Sequence, residues 1–77
     1  MDKKLLQAIE LADNGDWDGA HKIVQDENGQ NACWLHANLH REEGDLGNAQ
    51  YWYSRADLPK SEKSITDERA EIKEIVS

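Results

Sequence analysis

Three side chains able to hold a borderline transition metal stand close together in the stretch ACWLHANLH: Cys33, His36 and His40. Their spacing, i, i+3 and i+7, puts all three on one side of a helix. Thiolate and imidazole are good ligands for zinc or copper, and two histidines one turn apart can share an ion. No fourth ligand is evident, although His21, Glu42 and Asp45 are candidates. The same group also holds the elements of a Cys–His nucleophile, with Cys33 near a helix N-terminus where a thiolate is favoured. A reaction, however, needs converging oxyanion donors and a substrate pocket, and neither is legible in so short a chain. The plainer expectation is that Cys33, His36 and His40 are buried helix residues. No catalytic residue, metal or cofactor is expected, and the chain is not expected to be an enzyme.

The opposite side of the same helix carries Trp34, Asn38 and Arg41 at i, i+4 and i+7. Leu5, Ile9 and Ala12 stand at matching places in an earlier helix. Together they make an apolar floor bordered by an indole, an amide and a guanidinium. Trp and Arg are frequent anchors of protein interfaces, and Arg can hold a carboxylate by two bonds. The candidate partner-binding residues are therefore Leu5, Ile9, Trp34, Asn38 and Arg41, and the partner expected is a protein or peptide.

These groups need helices to position them. Gly15-Asp16 is followed four residues later by Ala20, and Gly44-Asp45 is followed four residues later by Ala49. A shift of 29 residues superposes the two sets and also aligns Leu6 with Leu35 and Ala8 with Ala37. Gly supplies the left-handed residue that ends one helix, Asp caps the next, and Ala allows close approach. Each unit reads as helix, tight turn, helix: Asp2–Asn14 with Asp16–Asp26, then Asn31–Glu43 with Asp45–Asp57. DENGQN (26–31) separates the units, and DLPKSEK (57–63) is a linker in which Pro59 stops the fourth helix. Ser64 opens a capping box with Asp67, and Ile65, Ile72 and Val76 form the stripe of a fifth helix, with Ile75 at its edge.

The run Tyr51-Trp52-Tyr53 divides by register. Tyr53 and Trp52 occupy the places of Val24 and Ile23 and are expected in the core. Tyr51 occupies the place of Lys22 and is expected in solvent.

The 77 residues allow one domain, 1–77, with hairpins at 1–27 and 31–57 and a last helix at 64–77. Hydrophobic residues are 38% and charged residues 32%, so the core is thin. A net charge of −7 opposes binding to nucleic acid and to anionic lipid. No apolar run is long enough for a transmembrane span or a signal peptide. A single cysteine suits a reducing compartment, so the cytoplasm is expected.

ANLHREEGDLGNAQYWYSRADLP resembles the tetratricopeptide repeat, matching its pattern at Ala37, Gly44, Ala49, Tyr53, Ala56 and Pro59. Ala8, Leu11, Gly15, Ala20 and Val24 carry a weaker match in the first unit. A narrower likeness joins residues 34–56 to small uncharacterised proteins carrying E-G-D-x-x-N-A-x-Y-W-Y-x-R-A, and it implies no activity. Cys33, His36 and His40 depart from the repeat pattern, which has large apolar residues there. The resemblance implies an all-α fold of two antiparallel hairpins plus a C-terminal capping helix, serving as a non-catalytic protein-interaction module. Its concave face would be the one holding Trp34 and Arg41. A metal-binding or thiol-active protein is the alternative, and self-association as a homodimer is a third reading, since two repeats rarely suffice alone. The fifth helix could instead fold across the concave face, but a cap is expected because short arrays need one.

Overall fold

The computed structural model describes residues 2–77. Five helices follow one another: α1 (Lys3–Asp13), α2 (Trp17–Gln25), α3 (Gln30–Glu42), α4 (Leu46–Arg55) and α5 (Ile65–Val76). Among the described residues there is no strand, and no helix is long and apolar enough to cross a membrane.

The two hairpin turns share the backbone bonds of their Gly-Asp steps. Gly15 and Gly44 take φ of 88° and 85°, a region in which a Cβ would be strained. The N–H of Asp16 then closes on Leu11 O (2.8 Å), and that of Asp45 on His40 O (2.9 Å). Each Asp turns its carboxylate back on the new helix, accepting from Gly19 N–H and Asn48 N–H respectively. A third ending of the same kind follows α4, where Asp57 takes the left-handed residue at φ 58°. Ser64 accepts from Asp67 N–H and starts α5.

Helix pairs α1/α2 and α3/α4 form antiparallel hairpins, in which Ala20 and Ala49 are buried. α2 also lies against α3, where the Trp17 indole donates to Leu39 O at 2.7 Å. Among the described residues, α4 is followed by α5 and not by a third hairpin. Leu46, which stands 29 residues after Trp17, is consequently 57% exposed.

α5 departs from the expected cap. It packs on α1 and α3, across the face that those helices were expected to leave open. Ile72 and Val76 join Leu5, Ile9, Ala12, Leu35 and Leu39 in one core, with Trp34 packed on its edge. The physical reason is area: two hairpins leave an apolar strip along α1 and α3 that a thin-cored chain must cover.

Candidate functional site

The side of α3 beneath α5 is organised around one carboxylate. Glu68 is fully buried, and its Oε1 accepts from Asn38 Nδ2 (2.9 Å) and Arg41 Nη1 (2.7 Å). Its Oε2 accepts from Trp34 Nε1 (2.9 Å) and from the Tyr53 hydroxyl. Burial alone would push this carboxyl up, but the hydrogen bonds from Tyr53, Asn38, Trp34 and Arg41 outweigh it and hold it below its ordinary value. Tyr53 is pushed up, first by burial and then by Glu68. Arg41 sends its second nitrogen to Lys63 O (2.8 Å). Next to this hub, Arg69 donates to Asn38 Oδ1, Asp13 and Glu42.

Leu5, Ile9, Trp34, Asn38 and Arg41 are thus brought to one face, but as the seat of α5. The carboxylate that Arg41 was expected to bind is supplied by the chain itself, and the face is an internal contact rather than an open floor. The residues that the sequence reading missed are Glu68 and Arg69.

The other side of α3 gathers imidazoles. His36 and His40 project from α3 and meet His21 of α2, and one ligand nitrogen from each ring lies within 4.8 Å of the other two. His36 Nε2 and His21 Nε2 are 3.0 Å apart. Indoles wall the group: Trp52 stacks on His36 with centroids 3.8 Å apart, and Trp17 stacks on His21 at 4.8 Å. His40 Nδ1 lies 2.5 Å from Glu43 Oε2. A carboxylate only accepts, so in the neutral ring Nδ1 carries the proton and Nε2 the lone pair. An imidazole fixed in this way by an acid is the usual support of a metal-bound histidine.

Proton uptake by His36 and His21 is opposed. Burial first, then the neighbouring His21 and His40, push His36 down to about 3. Burial and His40 also lower His21, against Glu43 and Asp18. Within its fully buried surroundings, His36 Nδ1 has no hydrogen-bond partner.

Cys33 does not join the group. It sits one turn nearer the start of α3, buried, with its thiol turned to Asn28 O. His21 takes its place, because α2 crosses the later part of α3, where Trp17 is bonded to Leu39 O. The Trp17–His21 pair at i, i+4 was the signal available in the sequence. Of the adjacent aromatics, Tyr53 is buried, Trp52 half-buried on His36, and Tyr51 51% exposed with its hydroxyl accepting from Arg55.

No family model, no curated protein and no solved structure matches the chain.

Proposed function

We propose that the protein binds one transition-metal ion on His21, His36 and His40, with zinc the first candidate. The observation that carries this reading is the convergence of three imidazole nitrogens within 4.8 Å, two of them 3.0 Å apart. Tetrahedral zinc at ~2.0–2.1 Å from nitrogen places its ligand atoms about 3.3 Å from one another. The rings therefore stand close to coordinating distance before any ion arrives. His36 and His21 resist protonation, so at neutral pH an ion displaces no proton from them. Imidazole donors select zinc, copper or nickel over magnesium or calcium. The role proposed is binding rather than catalysis, and a reducing compartment such as the cytoplasm suits the unpaired Cys33.

Titration of metal-free protein with Zn2+ tests the proposal. One ion per chain is expected, with binding lost in His21→Ala, a variant of the least buried ring. Absence of binding, or binding unchanged in that variant, overturns it.

A protein-interaction role is the second reading, together with kinship to tetratricopeptide repeats. The 29-residue recurrence of the turns supports the kinship. The surface for a partner, or for a second copy of the chain, would be the outer side of α4. There Tyr51 is exposed and bonded to Arg55, and Leu46 is uncovered.

A further inference from the structure

We infer that a metal ion on the three imidazoles keeps a fourth, exchangeable position, open to solvent beside His21 and Trp17 and taking water or a small anion. This rests on the metal reading and adds to it the kind of centre that the residues build.

The donor count comes first. Closed structural zinc sites supply four protein ligands, whereas three protein nitrogens leave a position for solvent or an added ligand. Three neighbouring side chains that could close the site, Cys33, Glu43 and Asp45, are engaged elsewhere. The Cys33 thiol faces Asn28 O. Glu43 is held on His40 Nδ1. Asp45 caps α4, accepting from Asn48 N and Asn48 Nδ2 at 3.2 Å each. Glu43 and Asp45 group with His40 in a separate, more exposed cluster, and neither joins the three rings.

Burial gives the direction. His36 and His40 are buried, while His21 and Trp17 are partly exposed, so the solvent side of the group is the one that His21 borders. The indoles stacked on His36 and His21 narrow the approach, and a ligand of a few atoms suits it better than a bulky one. Energetics agree. The apolar core of α1, α2, α3 and α5 is built from other side chains, so an ion is not needed as its brace. A centre with a free position and no bracing duty is suited to exchanging a ligand.

Cobalt provides the probe. Co2+ loaded in place of zinc is expected to give a four-coordinate visible spectrum that azide shifts saturably. Cys33→Ser is expected to respond in the same way. A Co2+ spectrum that azide leaves unchanged overturns the open position while the metal reading stands. So does an intense near-ultraviolet band from thiolate, lost in Cys33→Ser, because Cys33 would then be the fourth ligand. Failure of Co2+ to bind removes the metal reading and this inference together.

Discussion

α3 separates two polar clusters that obey opposite rules. On the α5 side the Glu68 carboxylate receives four donors, and Asn38 is engaged through both its amide nitrogen and its oxygen. On the α2 side three imidazoles pack together with one buried nitrogen left over. A buried polar network whose members are all paired specifies one packing, whereas a partly paired one costs free energy until something completes it. The closed cluster therefore reads as architecture. The open one is where a ligand would gain most.

The largest effect should come from breaking the closed cluster. Glu68→Ala leaves the Arg41 guanidinium and three further donors facing a cavity, and loss of one member of a buried ionic network costs about 3–5 kcal/mol. Small domains have about 5–15 kcal/mol in total, so urea denaturation should show a variant close to unfolding. A midpoint near that of the parent would mean that water satisfies these donors and that the cluster is not closed.

Acid should separate the two sides next. The ordinary histidine value is 6.5, and folded His36 lies near 3. Between these values the unfolded chain takes up a proton that the folded chain refuses, so stability falls as pH drops below about 6.5. The slope approaches about 1.4 kcal/mol per pH unit for one proton. The lowered His21 acts in the same direction. Glu68 has the other sign of group but the same outcome at lower pH: its contribution is present above its unfolded value and is lost as pH falls through its depressed folded value. Metal-free protein should thus weaken in mild acid, and His36→Leu should remove most of that early slope while Glu68→Gln retains it. Equal slopes in both variants would erase the contrast.

The smallest effect is expected from His36→Leu at neutral pH without metal. Removing a buried ring whose Nδ1 is unpaired relieves a cost, and the partly exposed His21 can turn to water. A change within about 1 kcal/mol is expected in thermal or urea unfolding. A loss as large as that for Glu68→Ala would show that the imidazoles, too, are structural.

The hairpins were legible because their signals are local. Gly-Asp ends one helix and starts another within two residues, and the close-packed Ala follows at a fixed distance. The seat of α5 depends on contacts between residues about 30 or more positions apart in sequence, which periodicity cannot supply. A hint was nonetheless present. Glu68 and Arg69 fall three and four residues after Ile65, inside the apolar stripe, and a charge there calls for donors on the facing helix. Trp34, Asn38 and Arg41 were correctly grouped on one side of α3, but the sequence did not reveal the source of the carboxylate. For the imidazoles, helical spacing gave the side of α3 and not the point along it at which α2 crosses. Hence His36 and His40 were grouped with Cys33, where the fold groups them with His21.

The stacking of indoles on imidazoles has a practical consequence. Trp17 and Trp52 each lie face to face with a ring of the histidine group, while Trp34 is tied to Glu68 on the other side of α3. The chain thereby carries its own optical labels, two for one cluster and one for the other. A paramagnetic ion such as Cu2+ seated on the imidazoles should extinguish the emission of Trp17 and Trp52 far more than that of Trp34. Variants that retain a single tryptophan would then let each side of α3 be followed separately, in one cuvette, without an attached dye.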